Sequence, residues 1–339
     1  MAEYINPEKF WGISFLGLAF PFLLSIVIFV FIFWIIVRIR FAIVPLIALM
    51  ISAPVLMDYF SFGFNKHNPK KEIFNINIMS YNVRNFDLYN WATGLNTRRD
   101  MMLFISDQTP DIANFQEFYT QDKGDYNNVG TLRIKSGFDY QNVYINKQLK
   151  DGQKWGLATF SRYKIINKGV VPFSMATKNA CIFSDIDING KVIRVYNAHL
   201  QSLRFGRKDY EYIEEVQDSA TISPQSNRAI LSKIKKAFVI RAKQVKSIKE
   251  HIAQSPYPVV LTGDFNDTPN SYAYYTLSQI LTDSFIESSW GLGPTYNGFL
   301  PIFRIDYILH DSNFFSFDYS CVKKNYSDHY PISVKLGFK

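Results

Sequence analysis

The sequence predicts a layered α/β sandwich carried behind an N-terminal helical hairpin, and three observations lead there. The first sixty or so residues hold almost no charge, whereas the remainder has the mixture of an ordinary folded domain. In that remainder, hydrophobic runs of strand length outnumber helical stretches. Five polar clusters also fall where hydrophobic runs end, the places where a sheet can present side chains to a cleft. A chain of 339 residues, 47% hydrophobic and 19% charged, can bury a sizeable core. A short disulfide scaffold and a disordered polyelectrolyte are both excluded. Cys181 and Cys321 are too few for a disulfide framework, and neither has the spacing of a zinc site.

Residues 10–37 carry no ionisable side chain, enough at about 1.5 Å per residue to cross a hydrocarbon core of about 30 Å. After Arg38 and Arg40, residues 41–57 are again uncharged and are closed by Asp58 and the interface-type aromatics Tyr59 and Phe60. Two membrane spans are expected, 10–37 and 41–60, within a unit 1–64 whose partner is the lipid bilayer. A signal peptide fits less well, because its apolar region is about 7–15 residues behind a basic leader, which the first nine residues lack. Orientation is set by two competing groups of positive charge. Arg38 and Arg40 abut both spans, while Lys66, Lys70 and Lys71 lie further out, before a long domain of the kind that translocates largely regardless of charge. The expectation is a multi-pass membrane protein with a cytoplasmic turn and an extracytoplasmic large domain.

Residues 65–72, with Asn-Pro and three lysines, read as a linker to a domain at 73–339. Strand candidates in that domain are 73–79, 112–115, 155–161, 181–188, 192–197, 258–261, 305–309 and 332–336. Helix candidates are 96–108 and 228–253, the second capped by Ser226 or Asn227 and carrying Ile230, Ile234, Val245, Ile248 and Ile252 at helical intervals. Its many lysines and arginines read as a solvated face, with a bed of anionic lipid as the other reading. The aromatics Phe299, Phe303, Phe314, Phe315 and Phe317 read as core, and residues 296–303 also as a loop at a cleft rim. The formal charge of +8 lies wholly downstream of Asn65, since the charges before it cancel. A basic domain favours anionic partners such as phosphates, nucleic acid or acidic headgroups.

The polar clusters are Ser80-Tyr81-Asn82-Val83, Asn114-Phe115-Gln116-Glu117, Asn197-Ala198-His199-Leu200, residues 262–267 around Asp264 and Asn266, and Asp306 with Ser327-Asp328-His329. Together they suit water attacking a phosphoester. The substrate is already negative, so a hard cation, Mg2+ or Mn2+, held by oxygen ligands such as Glu117, Asp328 and the Asn82 amide would neutralise and orient it. His329, oriented by Asp306, could take a proton from water. His199 and Asn266 would meet the developing charge on phosphoryl oxygens, Asp264 would position water or protonate the leaving oxygen, and Asn197 would help bind substrate. Asp267 and Asn270 read as turn and cap residues.

In this order the motifs resemble those of the endonuclease/exonuclease/phosphatase superfamily over residues 73–338. The carriers are Tyr81-Asn82-Val83, Gln116-Glu117, Asn197-Ala198-His199-Leu200, Gly263-Asp264-Phe265-Asn266, Ile305-Asp306-Tyr307 and Ser327-Asp328-His329-Tyr330-Pro331. Residues 155–161 also resemble the family's internal strand. The resemblance implies a four-layer αββα sandwich of two packed mixed sheets, a divalent metal at Glu117 and a histidine pair around the scissile phosphate. One departure is Arg84, where some nuclease members carry an acidic residue two positions after the first asparagine. That weakens a deoxyribonuclease-like role. A phosphodiesterase acting on a nucleic acid, nucleotide or lipid-headgroup phosphoester is expected, with a membrane-anchored nuclease, a lipid headgroup phosphodiesterase or phosphatase, and a catalytically silent binding scaffold as the alternatives. No protein partner is implied.

Overall fold

The computed structural model describes residues 2–63, 75–89, 91, 96–175, 177–203, 205, 209, 211–212, 223–298 and 301–339. The expected linker 65–72, together with Ile73, Phe74 and Phe299, lies outside them. The first half of the domain supplies strands β1 (Asn75–Asn82), β2 (Ile112–Thr120), β3 (Tyr140–Gln148), β4 (Lys154–Ser161), β5 (Lys164–Val170) and β6 (Ala180–Ile188). The second supplies β7 (Lys191–His199), β8 (Val259–Asp264), β9 (Thr282–Asp283), β10 (Asp306–His310), β11 (Phe314–Cys321) and β12 (Ile332–Phe338). They form two six-stranded sheets, in the orders β11-β12-β1-β2-β4-β3 and β5-β6-β7-β8-β10-β9. The pairs β1/β2 and β7/β8 are parallel and the others antiparallel, so both sheets are mixed.

The layering follows from which residues each strand turns inward. Ile76 and Ile78 of β1, Ile112 of β2, Ile193 and Val195 of β7, Val260 of β8, Ile308 of β10 and Val334 of β12 share one buried cluster between the sheets. Their odd-step neighbours point the other way, as strand geometry requires. Met79, Tyr81, Ala113 and Phe115 meet Met101, Ile105 and Leu132 of helices Thr97–Asp107 and Asn128–Ser136. Tyr196, Ala198, Leu261 and Tyr307 meet Val245, Ile248, Tyr274 and Leu277 of helices Pro224–Ile252 and Tyr272–Ser278. The result is the four-layer αββα sandwich, with helices covering both outer faces.

All eight expected strands are present, and they are the interior strands of the two sheets. The four that went unread, β3, β5, β9 and β11, are the edges. An interior strand is buried on both faces and reads as a dense apolar run, whereas β5 is mostly exposed and β9 spans two residues. The long helix begins earlier than expected. Ser223, not Ser226 or Asn227, is its cap and accepts from Ser226 N at 3.3 Å, with Pro224 at the first helical position. Asn270 likewise precedes the true cap, Ser271, whose hydroxyl accepts from Tyr274 N at 3.1 Å. Phe303, Phe314, Phe315 and Phe317 are buried as expected.

Two apolar helical segments, Pro7–Val37 and Ile39–Tyr59, precede the sandwich and are, by length and composition, long and apolar enough to cross a membrane. They leave large apolar side chains uncovered, with Phe29 70% and Ile36 78% exposed. Water penalises such a surface. Where the first helix meets the domain, Gly17 lies against the Asn270 carbonyl so closely that a Cβ would collide with it.

Candidate active site

Each inward strand face changes character at the same level. On β1 the series Ile76, Ile78 continues as Ser80, Asn82; on β7, Ile193, Val195 continues as Asn197, His199; on β8, Val260 continues as Thr262, Asp264. Register aligns these ends, since His199 pairs with Asp264 and Asp264 with Asp306 in one row across three strands. Asn82 pairs with Gln116 on the facing sheet. The parallel pairs therefore bring their carboxyl ends together at one polar edge of the inter-sheet core.

Glu117 reaches that edge through a β-bulge. The β2/β4 register shifts between Phe115 and Phe118, and Glu117 adopts a positive φ of 48°. With regular alternation it would share the helix-covered face of Phe115; the extra residue re-aims it. Asn266 also has a positive φ, 53°, in the turn after β8. Gly263 has φ 140° and presses on the Ala198 carbonyl, where a Cβ would collide. The Ser327 hydroxyl donates to the Asn82 carbonyl at 2.8 Å and accepts from His329 N at 3.2 Å, which pins the His329 loop to the end of β1.

At the centre, His329 Nδ1 and Asp306 Oδ2 are 2.9 Å apart and both residues are buried. His329 Nε2 lies 3.8 Å from Asp264 Oδ2, and His199 Nε2 lies 3.7 Å from the same oxygen and 3.9 Å from Glu117 Oε1. Asn82 Nδ2 donates to Asp264 Oδ2 at 3.0 Å, and Asn266 N donates to Asp264 Oδ1 at 2.8 Å. Donor atoms of Asp264, Asp306 and His329 all fall within 4.8 Å of one another, close enough to share a cation. On the other side of the cleft, Asp328 Oδ2 is 3.4 Å from Arg84 Nε.

Charges in this cluster shift one another. Burial pushes the Asp264 carboxyl up to about 6 despite the opposing pull of His329 and His199. Burial alone would discharge the His329 imidazole, but Asp306, Asp264 and Asp328 outweigh it and hold the ring well above its usual range. Burial and the neighbouring Asp328 raise Glu117, against His329, Asn82 and Arg84. The site thus gathers an imidazole held toward its protonated form among four carboxyl groups, with Asp328 disfavouring the Glu117 charge. Asp306 Oδ1 is buried without a hydrogen bond.

The expected residues converge, with three changes of detail. Asn197 is fully buried and links the sheets, accepting from Gln116 Nε2 at 2.8 Å and donating to the Phe115 and Ala158 carbonyls at 3.2 and 3.0 Å. It holds the scaffold and has no exposed surface for substrate, contrary to the expectation. The Asn266 amide donates to the Leu200 carbonyl at 3.2 Å, so it is turned toward β7. Asp267, expected as a turn residue, also accepts from buried Arg241 at 2.8 Å. Thr295, whose hydroxyl accepts from Asp306 N at 3.1 Å, went unread, whereas Tyr296, at the start of the expected rim loop, brings its ring within 5.4 Å of that of His329. Neither belongs to a recognisable motif. Arg84, noted as a departure, proves to be the partner of Asp328.

Two packed mixed sheets with a buried Asp/Asp/His cluster where both parallel pairs end define the phosphoesterase class of αββα proteins. Residues 79–329 match the profile of the Endonuclease/Exonuclease/phosphatase family, and the chain belongs to that family, whose members are phosphoester hydrolases. Residues 1–59 match a domain of unknown function. Solved structures share the fold at low identity. An endonuclease/exonuclease/phosphatase from Beutenbergia cavernae is 17% identical with a TM-score of 0.56, covering 78% of this chain and 72% of that one. A family protein from Bacteroides thetaiotaomicron is 19% identical with a TM-score of 0.54, covering 79% and 99%. The human Nocturnin catalytic domain is 14% identical with a TM-score of 0.54, covering 78% and 95%. No curated protein sequence matches the chain.

Proposed function

We propose that the chain is a membrane-tethered, metal-dependent phosphodiesterase: residues 1–64 are the tether, 65–72 the linker and 73–339 the catalytic domain, held outside the cytoplasm. The observation that carries the catalytic reading is the row His199, Asp264, Asp306 facing Glu117 across the cleft, with His329 bonded to Asp306. The donor set fits a hard divalent cation such as Mg2+ or Mn2+. Glu117, Asp328 and the Asn82 amide offer oxygen ligands, and the crowding that raises Glu117 is what a cation would relieve. The alternative cage of Asp264, Asp306 and His329 is less suitable, because Asp306 already engages His329 Nδ1 and the acids around the ring favour its protonated form, which competes with a cation for Nε2. When bound, the cation supplies charge neutralisation and orientation of the phosphoryl group.

The side chains divide the remaining work. Asp306 fixes the His329 ring so that Nε2 faces the cleft, where the imidazolium meets phosphoryl oxygens together with His199. This reading exchanges the proton duties expected of His329 and Asp264: Asp264, aimed by Asn82 and the Asn266 backbone N–H, takes the proton from water, and His329 returns one to the leaving oxygen. Full-length protein in detergent should hydrolyse bis(p-nitrophenyl) phosphate, lose activity in EDTA and regain it with Mg2+. Absence of metal-dependent turnover on this ester would favour the silent scaffold.

A further inference from the structure

The cleft wall beside His329 is built on the hairpin. Ser61, just beyond the second apolar helix, pairs with Gly291 through two backbone hydrogen bonds of 2.9 and 2.8 Å. From there the chain passes Tyr296, whose ring lies 5.4 Å from His329. It returns at Phe303, whose carbonyl accepts from Tyr296 N at 3.0 Å and whose ring is 6.5 Å from Phe22 of the first helix. Arg304 follows, fully buried, and donates to the Asp58 carbonyl of the second helix at 2.6 Å. Two residues later stands Asp306, the partner of His329. Both feet of this strip rest on the apolar helices, and its middle touches the catalytic ring.

Depth follows from helix geometry. Beyond Phe22 the first helix continues through residues 23–37, about 22 Å at about 1.5 Å per residue. A hydrocarbon core of about 30 Å therefore reaches back past Phe22, to the level of Phe303. Tyr296, one backbone hydrogen bond from Phe303, stands between that level and His329. Trp290, 66% exposed and 5.6 Å from the Phe60 ring, adds an interface-type aromatic at the same foot.

We propose that the substrate is a phosphoester of a bilayer lipid, drawn laterally into the cleft from the membrane that holds the hairpin. This rests on the phosphodiesterase reading above. The test uses the full chain in vesicles of phosphatidylethanolamine, phosphatidylglycerol, phosphatidylinositol and sphingomyelin, with release of water-soluble phosphorus compounds followed by phosphorus NMR. Dihexanoyl phospholipids below their micelle concentration, plasmid DNA and bis(p-nitrophenyl) phosphate are the comparison substrates. The expected result is release from at least one long-chain lipid at roughly ten times or more the rate on its dihexanoyl analogue or on plasmid. Hydrolysis of bis(p-nitrophenyl) phosphate with intact vesicle lipids, or plasmid cleaved faster than any lipid, would overturn the lipid assignment and leave the phosphodiesterase standing. No hydrolysis of any of the four would remove both.

Discussion

Glu117 owes its place to one inserted residue and His329 its orientation to one carboxylate, and each dependence gives a measurable consequence. Asp306→Asn keeps the size of the side chain but weakens its hold on His329 Nδ1. Turnover of bis(p-nitrophenyl) phosphate is expected to fall by roughly 10²–10⁴-fold, the range typical of positioned acid–base groups. An unchanged rate would remove His329 from the chemistry. The residues that converge were legible because they recur as short polar endings on hydrophobic runs. Thr295 was not, because its contact with Asp306 exists only after the chain has folded, and Tyr296 was legible only as part of a rim loop. Asn197 shows the opposite error: its place in a motif beside His199 suggested substrate, yet its amide cross-links two sheets, a role that becomes visible only when Phe115 and Ala158 are brought against it.

Strands and helices were readable in proportion to their burial. The interior strands announced themselves, and the edges, half-solvated, did not. Two elements carry predictions. Gly263 in β8 sits at φ 140° against the Ala198 carbonyl. Gly263→Ala is expected to cost roughly 2–4 kcal/mol from backbone strain and overpacking, read as a drop in Tm. Helix Ser284–Ser288 is tied to β10 and β11 through Glu287, which lies 2.9 Å from His310 Nε2 and accepts from Ser316 N and Oγ at 2.6 Å. Burial works against the Glu287 charge, but the bonds from His310 and Ser316 outweigh it and bring the carboxyl down from 4.5 to about 2. A depressed folded value means that the stabilisation is complete above about 4.5 and drains away as pH falls toward about 2. Glu287→Gln should therefore lower Tm at about pH 7, and the gap from the parent should narrow at about pH 3. A gap constant with pH would contradict this linkage.

For the molecule as a whole, the hairpin and sandwich behave as one packed object, a feature no local pattern in the sequence displays. Arg304 is the joint. Buried within the protein, it donates to Asp283 at 2.6 Å and to the Asp58 carbonyl, two residues before Asp306. Arg304→Met would strand the Asp283 carboxylate and is expected to cost about 3–5 kcal/mol, seen as a lower Tm of the full chain. On the proposed lipid reading, loosening this joint should reduce turnover of vesicle lipid more than turnover of a soluble ester.

The division between a cation at Glu117 and proton chemistry at His329 is tested by titrating turnover against Mg2+ for the parent, Glu117→Gln and His329→Gln. Glu117→Gln is expected to raise the half-saturating Mg2+ concentration by roughly tenfold or more, while His329→Gln lowers the maximal rate and leaves that concentration in place. If His329→Gln moved the Mg2+ requirement and Glu117→Gln did not, the cation would belong to the Asp264, Asp306 and His329 cluster and the assignment of roles given above would be wrong.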